Sequence, residues 1–176
     1  MKKLSDLTTN QRKWLRRGIE LLVVIVVIMG ARAWQQRDVV SGTAPLLQGL
    51  TLEQRQMYRL PAHPEQPVLV HFWATWCPIC RTEQGSINAL AGAHYPVVTV
   101  AMQSGSDDAV RKFMDEQELA FPVINDADGV LSAAWGVHAV PASFIIDRNG
   151  QIRFVEIGYT TGWGLRLRMW LASVLG

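Results

Sequence analysis

The sequence predicts an α/β protein in which helices cover a central mixed β-sheet. Two apolar segments with strand propensity, residues 68–73 and 96–102, are each followed by a segment with helical periodicity. Farther along, the turn-forming pair Asn149-Gly150 joins two strand-like segments, which predicts a hairpin. The chain has 176 residues, enough for one well-packed domain with an appendage.

Charge is distributed unevenly along this chain. The first 17 residues hold six basic residues against the single acid Asp6, a net charge of +5, while the whole chain has +2. The remaining residues therefore have a net charge of −3, which argues against nucleic acid as a partner. By the positive-inside rule we expect the basic head, residues 1–17, to stay in the cytoplasm and the chain beyond Trp34 to lie outside it, which in a Gram-negative cell would be the periplasm.

An uncharged apolar run, "LLVVIVVIMGA" at residues 21–31, follows this head. Its length suits a signal-peptide core of ~7–15 residues better than a spanning helix of ~20, and Ala31-Arg32-Ala33 has the form of a cleavage site. However, Glu20 and Arg32 can extend their charges outward, and a tryptophan on each side suits the two membrane interfaces. We therefore expect residues 18–34 to be an uncleaved single-pass helix in the inner membrane, with a cleaved signal peptide as the alternative.

Residues 35–66 are punctuated by glycine and proline, which predicts a tether with one short strand near residues 57–60. The folded domain is expected to span residues 67–176. It begins with strand 68–73, whose residues are apolar on both sides, as in a central, parallel strand.

The helix after this strand is predicted for residues 78–91, because Pro78 suits the first helical position and apolar residues recur on one face. Strand 96–102 leads into a second helix, which Ser106 can cap. The remaining elements are expected in this order: a short strand in "FPVIND", a short helix in "GVLSAAWGV", the hairpin, and a last helix over residues 161–174.

The chain contains two cysteines, Cys77 and Cys80, within the segment "HFWATWCPIC". As a structural disulfide, this pair would close too small a loop to stabilise the fold much. A zinc site usually needs four ligands, and the four histidines of the chain show no paired spacing. We therefore favour a redox-active pair, with the structural disulfide and the metal site as alternatives.

The position of the pair assigns a different role to each cysteine. Cys77 lies where a strand ends and a helix begins, and the positive end of a helix stabilises a thiolate. We expect Cys77 to be the exposed, attacking thiolate. Cys80, one helical turn further and facing inward, would be the resolving thiol that releases a mixed disulfide.

The segments "FWATWCPIC" and "WGVHAVPASFIIDRNGQI" resemble the thioredoxin-like superfamily, specifically its membrane-tethered TlpA/ResA-like branch and, within it, the suppressor-for-copper-sensitivity type. The resemblance covers residues 44–176 and the general plan of the N-terminal segment. It implies a thioredoxin fold in which residues from Pro96 to Phe121 form an additional strand and helix. It also implies a cis peptide bond between Val140 and Pro141 that faces Cys77.

Several residues near the pair are candidates for supporting roles. The turn at Pro141 leaves the backbone of Val140 free to pair with an extended partner segment. His71 stands where many thioredoxins carry a buried aspartate, and it could shuttle the proton that Cys80 loses or be a hydrogen-bonded core residue. Glu83 matches an acidic residue of the TlpA-like branch, and it could relay protons or be a solvated helix residue.

Three further residues, Trp76, Pro78 and Ile79, adjoin the cysteines directly. Trp76 is expected at the rim of the site. Pro78 and Ile79 separate the two cysteines, and their identity does not by itself determine the reduction potential of the pair.

The sequence thus predicts an extracytoplasmic thiol:disulfide oxidoreductase that acts on protein thiols and disulfides without an organic cofactor or metal. The resemblance favours the reducing direction, with electrons from a membrane donor protein, and suggests a link to copper tolerance. The alternative is a Cu(I) chaperone in which both thiols, together with His138, hold the metal. A non-catalytic interaction module is disfavoured because it would not require both cysteines.

Overall fold

The computed structural model describes residues 9–35 and 40–176, and the chain divides into two compact units, residues 1–37 and 38–176. The first unit contains helix α1 (Thr9–Gln35), on which the apolar side chains of Leu21 and Val27 are exposed. The first eight residues of the predicted basic head lie outside the described residues.

No helix within these two described ranges has the length and apolar character needed to cross a membrane. This finding does not support the membrane-spanning anchor predicted for residues 18–34.

The second unit is built from eight strands and four helices within residues 40–176. The strands are β1 (Gly42–Thr43), β2 (Gln48–Leu50), β3 (Met57–Arg59), β4 (Val68–Trp73), β5 (Val97–Met102), β6 (Val123–Asp126), β7 (Ala142–Ile146) and β8 (Gln151–Ile157). The helices are α2 (Pro78–Gly92), α3 (Asp107–Glu116), α4 (Val130–Ala134) and α5 (Gly162–Leu175).

Six of these strands form one sheet in the order β1-β8-β7-β4-β5-β6. Strand β4 pairs parallel with β5 and antiparallel with β7, so it is central, and the sheet is mixed as predicted. Strands β5 and β6, which are joined through α3, are also parallel, while β7 and β8 form the predicted antiparallel hairpin. The α/β class and the order of elements from β4 to α5 are therefore confirmed.

Residues 40–66, which the sequence predicts to be a tether, pack as part of this unit. Strand β1 extends the sheet by pairing with β8, and β2 and β3 form a separate hairpin. Leu47 and Leu60 are buried in the core, and the backbone of Thr51 bridges to Ile124 on the edge strand β6. Pairing across such distances in the sequence is set by tertiary structure, so local composition does not reveal it.

The sheet separates two apolar clusters, which follow from the alternation of side chains along β4. The α2-side cluster contains Leu69 and Trp73 of β4 together with apolar residues of α2, α3 and α5. The α4-side cluster contains Val68, Val70 and Phe72 of β4 with Trp135, Phe144 and residues of the β2–β3 segment.

Helix α5 lies where the last helix was predicted, but it buries a different set of side chains. The prediction used the helical spacing of Leu167, Trp170, Leu171 and Val174. In the structure Leu165, Met169 and Ala172 are buried, whereas Leu167, Trp170 and Val174 are exposed. Because this helix is apolar around most of its circumference, its periodicity alone does not identify the buried face.

Candidate redox site

The two cysteines form a disulfide at the point where the central strand β4 leads into helix α2. Cys77 is the N-cap residue of α2, and Pro78 occupies the start of the helix, where a missing N–H leaves no bond unmade. The N–H of Cys80 donates a hydrogen bond to Cys77 Sγ over 3.1 Å. When the disulfide is reduced, this N–H and the helix dipole would both stabilise a thiolate on Cys77.

The two sulfurs differ in accessibility, although less than the sequence predicts. Cys77 exposes 3% of its surface and Cys80 none, so the expectation of an exposed Cys77 is wrong for this disulfide state. The side chains on either side of Cys77 are open to solvent, because Trp76 is 57% exposed and Ile79 is 52% exposed. Cys77 is therefore the more accessible of the two cysteines and is flanked by exposed apolar side chains, whereas Cys80 is enclosed.

The loop before β7 covers Cys77 from the opposite side. The Val140–Pro141 peptide bond is cis, as the resemblance implies. The carbonyl oxygen of Val140 lies 3.6 Å from Cys77 Sγ, and the Pro141 carbonyl accepts a hydrogen bond from the Gly158 N–H over 2.8 Å. The loop that contains Val140 thus contacts Cys77 at the end of the sheet where β4 leads into α2.

A second loop, residues 103–104 after β5, fixes the position of the exposed Trp76. The indole Nε1–H donates to the Gln103 carbonyl oxygen over 3.1 Å, and the Thr75 N–H donates to Ser104 Oγ, also over 3.1 Å. Sequence reasoning did not identify Gln103 or Ser104, because nothing in their local sequence indicates a contact with the cysteine segment. These bonds hold the Trp76 ring at the rim, where it was predicted.

Arg81 provides the nearest basic side chain after the cysteine pair in sequence. Its guanidinium donates to the Thr75 carbonyl oxygen over 3.1 Å and lies 5.4 Å from the centroid of the Phe113 ring. It therefore ties the segment before Cys77 to both α2 and α3.

Glu83 is fully buried on the inner face of α2, one helical turn after Cys80, so the alternative of a solvated residue is wrong. Its Oε2 accepts a hydrogen bond from the Thr160 N–H over 2.9 Å. Burial penalises the carboxylate and raises the pKa of Glu83 to about 7, although the Thr160 bond acts in the opposite direction. A carboxyl with this pKa can gain or lose a proton near neutral pH.

His71 lies in β4, on the face that points toward α2, and is also fully buried. Its Nδ1 is hydrogen-bonded to Ser143 Oγ over 2.9 Å, and its Nε2 lies 3.6 Å from Glu83 Oε1. Burial lowers the pKa of His71 to about 3, so the ring is neutral at physiological pH. The alternative of a hydrogen-bonded core histidine is correct for one ring nitrogen only. Nδ1 has a hydrogen-bond partner, whereas Nε2 has none.

Sequence reasoning missed Ser143 and Thr160, which contact His71 and Glu83. Ser143 is directly opposite His71 in the antiparallel β4–β7 pair, so only the strand register could have identified it. Thr160 contributes a backbone N–H, a group that every residue except proline carries, and therefore leaves no sequence signal.

The structure gives the metal-binding alternative no additional ligands at this site. Within residues 9–35 and 40–176, no three histidine, cysteine or acidic side chains are grouped as metal ligands would be. His138, the proposed third ligand, has an exposed side chain.

Comparisons with known proteins place this chain among thioredoxin-like proteins and thiol:disulfide interchange proteins. The profile of the AhpC/TSA family matches residues 40–155. A thioredoxin-like protein of Haemophilus influenzae is 30% identical over 170 residues, which cover 94% of this chain and 98% of that protein. The thiol:disulfide interchange protein DsbE of Escherichia coli is 32% identical over 155 residues, covering 78% of this chain and 82% of DsbE.

A solved structure shares the fold of most of this chain. A secreted disulfide oxidoreductase of Mycobacterium tuberculosis superimposes with a TM-score of 0.60 at 26% sequence identity, covering 71% of this chain and 95% of that one.

Proposed function

The chain belongs to the AhpC/TSA family and is a thiol:disulfide oxidoreductase with a thioredoxin fold, and from this premise we propose that Cys77 and Cys80 exchange disulfides with protein partners. The observation that carries the proposal is the position of Cys77, which caps α2, receives the Cys80 N–H and is the more accessible of the two sulfurs.

In the reducing direction the cycle begins with the reduced pair, in which Cys77 is a thiolate and Cys80 is a thiol. The Cys77 thiolate attacks one sulfur of a partner disulfide, so a mixed disulfide forms and the other partner sulfur leaves as a thiolate, which takes up a proton. The Cys80 thiolate then attacks Cys77 Sγ and expels the first partner sulfur. Two electrons pass to the partner, which becomes a dithiol, and the Cys77–Cys80 disulfide is formed.

The second step requires Cys80 to lose its proton in a buried environment, and we assign Glu83 the role of proton acceptor. Its carboxyl is buried one turn from Cys80, and burial raises its pKa to about 7, a value suited to proton exchange at neutral pH. The Nε2 atom of His71 faces the Glu83 carboxyl over 3.6 Å, and its Nδ1 is hydrogen-bonded to Ser143, so His71 can help to position Glu83.

Partner binding is proposed at the surface around Cys77. The cis Val140–Pro141 turn brings the Val140 carbonyl against the attacking sulfur, and an extended partner strand could pair with this backbone. Trp76 and Ile79 supply exposed apolar surface beside it, and Pro78 starts the helix between them.

We further propose that the N-terminal segment carries the domain out of the cytoplasm. The +5 charge of residues 1–17 and the uncharged run at 21–31 support export, and the similar protein of M. tuberculosis is described as secreted. On this proposal the segment, residues 18–34, either remains as a membrane tether or is cleaved. The mass of the mature protein distinguishes the two, because a chain that begins at Trp34 would exclude a retained tether.

The reducing direction, a membrane protein as electron donor and a role in copper tolerance are proposals supported by the resemblance to the TlpA/ResA-like branch. The equilibrium potential of the Cys77/Cys80 pair against glutathione tests the direction. A potential more negative than that of glutathione supports a reductase, and a more positive one reverses the assignment.

Covalent trapping in two matched variants tests the function itself. In Cys80→Ser, Cys77 can still attack but nothing resolves the product, so adducts with disulfide-containing proteins should accumulate and be released by dithiothreitol. In Cys77→Ser no such adducts should form. Adducts in Cys77→Ser alone would reverse the roles of the cysteines, and their absence from both variants would refute disulfide exchange.

A further inference from the structure

A line of three polar side chains crosses the buried interior between the sheet and α2. Ser143 comes from β7, His71 from β4 and Glu83 from α2, and all three are at most 2% exposed. Ser143 Oγ is 2.9 Å from His71 Nδ1, and His71 Nε2 is 3.6 Å from Glu83 Oε1. Because three separate elements supply these groups, the line is a product of the tertiary fold.

The two facing atoms in this line are both without a hydrogen-bond partner. His71 Nε2 and Glu83 Oε1 are buried and unpaired, whereas the other ends of both side chains are engaged by Ser143 and by the Thr160 N–H. An unpaired polar atom in the interior is costly, so a small approach of these two atoms would relieve both at once. A hydrogen bond between them requires that one atom carry a proton and that the other does not.

Two arrangements of protons satisfy the whole line with a neutral imidazole. With Glu83 protonated, its Oε1–H donates to His71 Nε2, and the Nδ1–H of the ring donates to Ser143 Oγ. With Glu83 ionised, the ring carries its proton on Nε2 and donates it to Oε1, while the Ser143 hydroxyl donates to Nδ1. The two arrangements differ by one proton, which is exchanged with water.

We propose that His71 switches between its two neutral tautomers as Glu83 gains or loses a proton, and that the Ser143 hydroxyl permits this by accepting in one state and donating in the other. His71 is then a positioning residue, which acts on the reaction through Glu83. The role for Glu83 in accepting a proton from Cys80 rests on the proposed function, but the tautomer switch itself does not.

Groups from three elements within residues 40–176 lie around Glu83. Its own helix contributes Cys80, β4 contributes His71, and the segment before α5 contributes the Thr160 N–H. The basic side chain of Arg168 on α5 is engaged elsewhere, since it pairs with Glu156 over 2.6 Å. Burial raises the pKa of Glu83 to about 7 and lowers that of His71 to about 3, so the proton of the pair belongs on the carboxyl.

Nitrogen NMR of the full chain tests the proposal directly, because the two ring nitrogens of a histidine report which of them carries the proton. The oxidised chain, labelled with ¹⁵N-histidine, is titrated from pH 5 to pH 9, a range in which the disulfide itself cannot titrate. We expect the His71 signals to change from the Nδ1–H to the Nε2–H pattern with a midpoint near pH 7, the pKa of Glu83. Loss of the signal pair in His71→Asn identifies it.

A matched variant makes the result specific. Glu83→Gln keeps the shape of the side chain and a donor toward Nε2, so His71 should stay in the Nδ1–H tautomer at every pH.

Two results would overturn the proposal: a single His71 tautomer across the whole pH range in the unmodified chain, or the pattern of a charged imidazolium on His71. Because the disulfide remains closed throughout, this result is independent of thiol exchange. A tautomer switch without adducts in the Cys80→Ser trapping experiment would refute the proposed function alone.

Discussion

The two faces of β4 differ in chemistry although their residues alternate along one six-residue strand. On the α4 side, Phe72 packs against Trp135 and Phe144 with ring centroids 5.6 Å apart in both pairs. Trp135 and Phe144 are themselves 5.0 Å apart, so three aromatic rings form one contiguous group. This face contributes to stability through apolar burial and aromatic packing.

The α2 side of the same strand is interrupted by a polar residue. Leu69 and Trp73 pack in the α2-side cluster, but His71 between them joins Ser143 and Glu83. Two atoms of this group remain unpaired, so the arrangement is more costly than an apolar contact of the same size. Stability and reactivity are thus separated along β4: its side chains on the α4 side are all apolar, and its one titratable residue, His71, lies on the side that carries the disulfide.

The largest expected effect is on the apolar face, in Phe72→Ala. Removing a fully buried ring from this aromatic group should lower the free energy of unfolding by about 3–5 kcal/mol. Denaturant unfolding measures the loss, and Phe72→Leu, which keeps most of the volume, should lose less. The folded fraction should keep the reduction potential of the unmodified chain. A large change in that potential would show that packing on the α4 side of β4 influences the disulfide on the α2 side.

The next largest effect concerns Glu83 and the pH dependence of stability. Folding raises the pKa of this carboxyl from 4.5 to about 7, so between these values the unfolded chain loses a proton that the folded chain retains. The protonated Glu83 therefore contributes its full share to the free energy of unfolding below pH 4.5. Between pH 4.5 and about pH 7, this free energy falls by about 1.4 kcal/mol per pH unit.

Glu83→Gln removes this dependence, so its stability relative to the unmodified chain should increase by roughly 3 kcal/mol between those pH values. Chemical denaturation of both proteins at a series of pH values measures the difference. Glu116→Gln, a change of an exposed acid on α3, is the matched control and should leave the profile unchanged. Parallel profiles for Glu83→Gln and the unmodified chain would show that Glu83 does not titrate in this range.

The same substitution should slow disulfide exchange. If Glu83 accepts the Cys80 proton, its replacement should lower the rate at which Cys80 resolves a mixed disulfide by on the order of 10²-fold. The measurement is stopped-flow release of partner thiol from a preformed mixed disulfide on Cys77. An unchanged rate, together with an unchanged pH profile of that rate, would leave Glu83 a structural residue.

The smallest effect is expected for Ser143→Ala. Removal of the hydroxyl leaves Nδ1 of the buried His71 without its partner, which should cost about 1–2 kcal/mol in stability. Thermal or denaturant unfolding measures this loss, with Ser173→Ala on the surface of α5 as a control of similar chemistry. A stabilised Ser143→Ala would show that the hydroxyl is not needed by His71.

Sequence reasoning succeeded where local signals determine the structure. Strand β4 and the start of α2 are as predicted, because an apolar run and a proline at the first helical position are local features. The packing of residues 40–66 was not predicted, because it depends on pairing with distant strands such as β8. The exposed face of α5 was also missed, since that helix is apolar on both sides.

The site shows the same division between local and tertiary information. Cys77 and Cys80 stand out as the two cysteines of the chain, and the resemblance supplied the cis bond before Pro141. The contact between His71 and Glu83, in contrast, depends on how β4 packs against α2. Their sequence positions predicted two separate candidates, while the structure brings them together.

Competitive alkylation of the fully reduced chain determines whether Cys77 is the attacking sulfur of the redox pair. Iodoacetamide is added in short pulses between pH 5 and pH 9, and mass spectrometry of the digested protein measures modification at each cysteine. We expect Cys77 to be modified first, with a pKa below the ordinary thiol value of about 8.5, and Cys80 to react slowly throughout. Faster modification of Cys80, or equal rates with ordinary pKa values for both thiols, would contradict this assignment.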